Sequence, residues 1–133
     1  MPMDTIEFSS SGGKVRISWS FDGDYIVAVE AEANGFRGQA DGHVVMDDFK
    51  KFAQDIVGLA GSRKGQASFS SAFPGAFDVT VRSTDSTGHL GVFGTLTAKS
   101  DTDSDEEQTL QFSLHFEPSQ IENAARAVRG LVD

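Results

Sequence analysis

The sequence predicts an α+β fold: a twisted antiparallel sheet of about six or seven strands, with two helices packed on one face, in β-β-β-α-β-β-β-α order. Strand patterns occur in runs, and each run is followed by one apolar stripe at helical spacing. Strands that succeed one another directly form antiparallel hairpins, and the helical stripes need a sheet face to bury against. With 133 residues, the chain is expected to form a single domain over residues 1–133.

The first strands are short and separated by turn residues. Residues 5–8 are β-prone and precede a serine- and glycine-rich turn at residues 9–13. In residues 14–21, apolar side chains alternate with polar ones, which is typical of a strand with one buried face.

The clearest hairpin signal is Asn34-Gly35, which lies between two alternating runs. Both central residues of a type I′ turn need positive φ, and asparagine and glycine tolerate it best. Pairing outward from the turn places Tyr25 opposite Val44 on the apolar face, and Glu32 opposite Arg37 on the polar face. A slip of one residue would expose every apolar side chain, so the register is well specified.

Both helices show start signals and an apolar stripe. The first is predicted to begin with Asp47 or Asp48 as its N-cap and to stop at Gly61. Its stripe contains Phe49, Phe52, Ile56 and Leu59. In the second helix, Ser119 and Glu122 have the spacing of a capping box.

The second half of the sequence alternates at residues 77–81, 89–99 and 110–116, after a weaker strand at residues 66–71. An acidic loop, residues 100–107, separates the last two strands. It begins like a calcium-binding loop but lacks the glycine and the final glutamate that an EF-hand requires. We therefore interpret it as a solvated hairpin loop.

Composition excludes several function classes. Twenty acidic and eleven basic residues give a net charge of −9, which disfavours nucleic-acid binding because that binding depends on neutralising phosphates. The absence of cysteine suits a reducing compartment. The sequence begins without a signal-peptide pattern and contains no long apolar run, so we expect a cytoplasmic protein without membrane contact.

No residue pattern indicates catalysis. Glu30, Glu32, Arg37, Asp41 and His43 share the polar face of the hairpin, but any solvated sheet face would collect such residues. The histidines lack metal-ligand spacing, and the glycines at 88, 91 and 94 lie within a strand, where glycine more often marks close backbone approach than a phosphate loop. We expect no enzyme activity, metal or cofactor. Phe36, Phe73 and Phe93 are candidate exposed aromatics, although Phe36 is expected to fill the core.

The sequence resembles the WapI family of bacterial immunity proteins over nearly its whole length. The resemblance rests on the Gly-Phe-x-Gly segment from Gly35 to Gly38 and the Gly-His-x-x-Val run from Gly88 to Val92. The segment Asp48-Phe49-Lys50-Lys51-Phe52, the strand at residues 77–81, and the closing strand from Leu110 with the helix after it agree with the resemblance. This resemblance implies a non-catalytic cytoplasmic protein that binds and neutralises a toxin domain, often a nuclease.

If that role holds, carboxylates are the candidate contacts, because an acidic surface attracts a basic toxin. The candidate partner-binding residues are Asp101, Asp103, Asp105, Glu106 and Glu107, with Glu30, Glu32 and Asp41 as a second set. The protein is expected to be a monomer or a homodimer. Two alternatives stay open: an acidic protein resembling a secretion chaperone, and a small-ligand binder or enzyme that uses the polar hairpin face near His43.

Overall fold

The computed structural model describes residues 4–21, 23–72, 76–85, 87–99 and 107–132. Its described part contains eight strands and two α-helices, and each helix follows four strands. The first half consists of β1 (Asp4–Ser10), β2 (Gly13–Phe21), β3 (Tyr25–Ala33), β4 (Phe36–Val44) and α1 (Met46–Ser62). The second half consists of β5 (Gln66–Ser70), β6 (Phe77–Ser83), β7 (Leu90–Lys99), β8 (Glu107–Phe116), α2 (Ser119–Val128) and a 3-10 turn (Arg129–Leu131).

The strands form two antiparallel sheets. The first sheet has the order β1-β2-β3-β4, and the second has the order β5-β6-β7-β8. The α+β class and the two helices agree with the prediction. The single sheet of six or seven strands in β-β-β-α-β-β-β-α order was wrong, because alternation identifies the buried face of a strand but not the layer that covers it.

The predicted hairpin register is confirmed. Asn34 and Gly35 have φ values of 53° and 87°, as a type I′ turn requires. Tyr25 lies opposite Val44, Ala33 opposite Phe36, and Glu32 opposite Arg37. Turn chemistry and the buried face therefore select one register for β3 and β4.

Small residues on the inner face of β4 let the second sheet approach closely. A Cβ atom on Gly38 would lie 2.8 Å from Leu110 Cδ2, and one on Gly42 would lie 3.4 Å from the Phe77 ring. Phe36 is two residues beyond Gly38 and is 67 % exposed. The expectation that Phe36 fills the core was wrong, because the tip of the hairpin extends past this contact between the sheets.

The core is one cluster that draws on both sheets and both helices. The predicted stripe of α1 is buried, and Phe49 contacts Trp19 at 5.5 Å and Phe69 at 5.3 Å between ring centroids. Phe8 of β1 packs on Phe116 of β8 at 4.4 Å. The two helices also pack on each other. Fully burying one aromatic or large aliphatic side chain contributes about 1.5–3 kcal/mol, so these contacts make the sheets interdependent.

The predicted helix caps were wrong. Helix α1 begins at Met46 after Val45, which makes no side-chain capping bond, and Asp47 and Asp48 lie within the first turn. Their charges still favour the helix, because carboxylates are stabilised near its N-terminal dipole.

Helix α2 has no capping box, because Ser119 is already its first helical residue and the N-cap position is occupied by Pro118. Glu122 instead accepts a hydrogen bond from Arg63 Nη2 at 3.1 Å. Arg63 has left-handed backbone geometry just after α1. This ion pair therefore joins the end of the first helix to the start of the second.

A side-chain amide of α2 closes part of the edge of β1. The Ser9 N–H donates to Gln120 Oε1, and Gln120 Nε2 donates to the Ser9 carbonyl, both at 2.7 Å. Because β1 is an edge strand, these two bonds reproduce the contact that a neighbouring strand would make.

Candidate partner-binding surface

The outer face of the first sheet carries opposite charges in cross-strand rows. The register aligns Glu7, Arg16 and Glu30 across β1, β2 and β3. Arg16 Nη2 lies 3.1 Å from Glu7 Oε1, and Arg16 Nη1 lies 4.0 Å from Glu30 Oε2. In the next row, Arg37 Nη2 lies 3.5 Å from Glu32 Oε2. Two of the predicted contact carboxylates, Glu30 and Glu32, therefore already face guanidinium groups.

Asp41, the third predicted residue of the hairpin, lies opposite Ala28 and is exposed. Within the described ranges it makes no ion pair shorter than 4 Å. A shallow concavity of about 210 Å³ on this face is lined by residues including Lys14, Arg16, Glu30 and Glu32. His43 does not line it, so the concavity does not lie where the ligand-binding alternative expected one.

Most of the predicted acidic segment lies outside the described residues. This applies to Asp101, Asp103, Asp105 and Glu106, and also to Phe73 among the candidate aromatics. Glu107 is the first residue of β8 and pairs with Lys99 in the register with β7.

The outer face of the second sheet has a different composition. Hydroxyl and amide side chains cover much of it, and over the described residues of 66–97 and 109–115 this face carries a single carboxylate, Asp78, and a single guanidinium, Arg82. The register places Lys99 and Glu107 opposite each other at the end of the same face. The uncharged polar side chains here are Gln66, Ser68, Ser70, Thr80, Thr95, Thr97, Thr109, Gln111 and Ser113.

Phe93 lies at the centre of this face between Arg82 and His115. The Arg82 guanidinium carbon is 4.2 Å from the Phe93 ring centroid, and the His115 ring meets Phe93 edge-on at 6.0 Å. Both contacts follow from Gly91, which lies opposite Arg82 on one side and His115 on the other. A Cβ on Gly91 would be 2.8 Å from Phe93 Cζ, so the ring occupies the place of the missing side chain. We call Arg82, Phe93 and His115 the Phe93 cluster.

The Phe93 cluster adjoins the exposed hairpin tip through β8. A concavity of about 380 Å³ is lined by Asp78, Thr80, Phe93 and neighbouring residues. A second concavity, of about 150 Å³, is lined by residues including Asn34 and Phe36. Both share Gln111, Phe112 and Ser113. One continuous surface therefore carries two aromatic side chains, Phe36 and Phe93.

A cluster of hydrogen-bonded side chains, Asp85, Thr87 and His89, lies beside this surface between β6 and β7. Asp85 Oδ1 accepts hydrogen bonds from the Thr87 amide at 2.9 Å and the Thr87 hydroxyl at 2.8 Å, and His89 Nδ1 lies 2.6 Å from Asp85 Oδ2. The hydrogen bonds from Thr87, followed by those from His89, lower the pKa of Asp85 well below its ordinary range. His89 and His115 both line a cleft of about 610 Å³. In the described part of the chain, no three acidic or histidine side chains are placed to hold a metal ion.

Sequence reasoning identified Phe93 as a candidate but missed its partners. The signal was present: Arg82, Phe93 and His115 occupy polar positions of three alternating strands, and a glycine stands two residues before the phenylalanine. Which strands are neighbours, and hence which residues flank Gly91, depends on the register of the second sheet.

A search of curated proteins finds no significant match. A solved structure titled "Crystal structures of trypanosoma bruciei MRP1/MRP2" aligns with a TM-score of 0.55 at 10 % identity, covering 98 % of this chain and 83 % of that one. At this identity the likeness concerns the fold alone. No helix among the described residues is long and apolar enough to cross a membrane. Residues 4–133 match the Immunity protein WapI-like family, and the chain belongs to that family.

Proposed function

We propose that this protein binds the toxic domain of a cognate bacterial toxin in the cytoplasm and neutralises it without catalysis. The observation that carries the proposal is the match of residues 4–133 to an immunity protein family. The described surface suits binding, since the concavities beside Phe93 and Phe36 are open to solvent, Phe36 is exposed and Phe93 is half-buried.

We further propose that the toxin domain is basic, as expected of a nuclease. A protein with a net charge of −9 attracts a basic partner over several ångströms, which accelerates association by about 10- to 1000-fold where steering is strong. We assign steering mainly to Asp101, Asp103, Asp105, Glu106 and Glu107. Asp41 can add to it, whereas Arg16 and Arg37 offset much of the field of Glu30 and Glu32.

The first experiment tests neutralisation. A toxin domain recovered with this protein from native cell extract is expressed alone and together with it, and the purified pair is titrated by calorimetry or biolayer interferometry. We expect co-expression to restore growth and the two folded proteins to form a tight complex. A toxin that remains active and unbound in the presence of the protein would overturn the proposal. Capture of an unfolded secreted segment in its place would support the secretion-chaperone alternative.

A second experiment tests steering with a matched pair of variants. Asp103→Asn with Asp105→Asn removes two charges from the acidic segment, and Asp47→Asn with Asp48→Asn removes two exposed charges from α1. We expect the first variant to lower the association rate several-fold at low salt and the second to lower it less, because steering falls off with distance and screening. If both variants lower the association rate equally, steering depends on the net charge of the protein and not on the acidic segment. If neither variant changes the rate, these carboxylates do not steer association.

A further inference from the structure

We propose that the toxin domain docks on the outer face of the second sheet, with Phe93 at the centre of the contact and Phe36 at its rim. This inference rests on the proposed function and names the surface that performs it. It also assigns chemistry to the partner: a carboxylate of the toxin meets Arg82, and a basic side chain of the toxin meets Asp78.

The first argument is the distribution of charge. The chain has a net charge of −9, yet over the described residues of 66–97 and 109–115 this face carries one carboxylate and one guanidinium, and Lys99 and Glu107 lie at its end. The centre of a protein interface is typically depleted in charge and enriched in aromatic residues and arginine. The Phe93 cluster has this composition, and hydroxyl and amide side chains surround it.

The second argument is preorganisation. The Phe93 ring fills the space above Gly91 and holds the Arg82 guanidinium against its face at 4.2 Å. Neither Arg82 nor Asp78 has an ion-pair partner within 4 Å among the described residues. A planar guanidinium fixed on an aromatic ring loses less conformational freedom when it binds a carboxylate. The Arg82 guanidinium is therefore positioned to donate hydrogen bonds to a carboxylate of a partner.

The third argument is the extent of the surface. The concavities at Phe93 and Phe36 share Gln111, Phe112 and Ser113, so a partner seated on Phe93 also reaches the hairpin tip. Phe36 is 67 % exposed, and contact with a partner would remove its ring from water. The face is open rather than enclosed, which suits a folded protein better than a small ligand.

The test measures the affinity of purified toxin domain for the full chain and its variants. We expect Phe93→Ala to weaken binding by about 30-fold or more, mainly through faster dissociation, as is typical of a hot-spot aromatic. Phe36→Ala should weaken it less. Phe21→Ala is the matched control, since Phe21 is also an exposed phenylalanine, at 54 %, but lies at the opposite end of β2 from the turn near the hairpin tip. It should leave binding unchanged.

Two further variants separate a docking role from a folding role. In Gly91→Ala the added methyl displaces the far end of the Phe93 ring, so binding should weaken about tenfold while thermal unfolding changes little. Arg82→Lys keeps the charge but loses the planar stacking, and should fall between wild type and Arg82→Gln.

The binding measurements distinguish a failure of this docking surface from a failure of the proposed function. If wild type binds toxin and Phe93→Ala, Gly91→Ala and Arg82→Gln bind within threefold of it, this docking surface is wrong and immunity stands. If the wild-type protein does not bind toxin, both proposals fall together. If Phe21→Ala weakens binding as much as Phe93→Ala does, the contact lies elsewhere.

Discussion

The two sheets of this protein present opposite kinds of polar surface. On the first sheet, Arg16 and Arg37 lie beside Glu7, Glu30 and Glu32, so positive and negative side chains alternate across the strands. On the second sheet, hydroxyl and amide groups surround Phe93 and Arg82. The strands of both sheets nevertheless show the same alternation of polar and apolar residues along the chain.

The difference between the two sheets shows that a net negative charge of the whole sequence does not make every surface of the protein acidic. Cross-strand register decides which carboxylates meet a counter-charge within their own face and which remain available to a partner. Exposed pairs of this kind contribute about 0.2–1 kcal/mol each, so their main effect is to reduce the local field. On the less charged face of the second sheet, shape and aromatic side chains are the features that a partner can recognise.

The largest expected effect comes from the same substitution made in the two sheets. In Gly94→Ala the new Cβ would lie 2.2 Å from the carbonyl oxygen of Asp78, whereas in Gly38→Ala it meets the mobile end of Leu110. We expect losses of about 3 kcal/mol for Gly94→Ala and about 1 kcal/mol for Gly38→Ala, measured by chemical denaturation. Gly58→Ala in α1, with open space around it, should instead stabilise by up to about 1 kcal/mol. Equal losses at Gly94 and Gly38 would contradict the close strand approach at Gly94.

A smaller effect should distinguish the two arginine environments. Arg16→Gln leaves Glu7 and Glu30 without their shared counter-charge, and we expect a loss of about 0.5–1 kcal/mol that shrinks in high salt. Arg82→Gln removes a stacked guanidinium without an ion pair among the described residues, so its cost should depend less on salt. Denaturation of both variants at low and high ionic strength tests this contrast. The prediction is wrong if the stability losses of the two variants depend on ionic strength to the same extent.

The smallest expected effect is a change in pH dependence at the turn beside the second sheet. Hydrogen bonds from Thr87 and His89 lower the pKa of Asp85 in the folded state. Its contribution to stability is therefore complete above the unfolded pKa of about 3.9 and is lost as the pH falls from there toward the lower folded pKa. Asp85→Asn should be less stable than wild type at neutral pH, with the gap closing on acidification. Carboxyl NMR titration of Asp85 measures the pKa directly, and an ordinary value would contradict the hydrogen-bond network.

Local chemistry predicted the parts of the fold that it controls. Asn34-Gly35 and two alternating runs defined the hairpin register, and the apolar stripe of α1 matches its buried face. The helix caps were mispredicted because the residues at the two N-cap positions, Val45 and Pro118, make no capping side-chain bond, so the capping signals in the sequence do not mark these starts. The split into two sheets was missed because it depends on how closely Gly38 and Gly42 let the layers approach.

The candidate site was predictable only in part. Phe93 could be marked as a candidate exposed aromatic from its polar strand position, but its contacts with Arg82 and His115 join three strands across one glycine. Phe36 was misassigned because its apolar character and inward register both indicate burial. Whether another layer extends far enough to cover it is a property of the whole fold.

The bonds between Gln120 and Ser9 link residues 111 positions apart, and Phe8 packs on Phe116 in the same region. During synthesis the ribosome releases β1 first and α2 much later, so the first strand cannot reach its final packing until nearly all of the described chain has emerged. A nascent protein of this kind stays incomplete for most of its translation. A newly made molecule is therefore complete only after a delay set by the time needed to translate the second half.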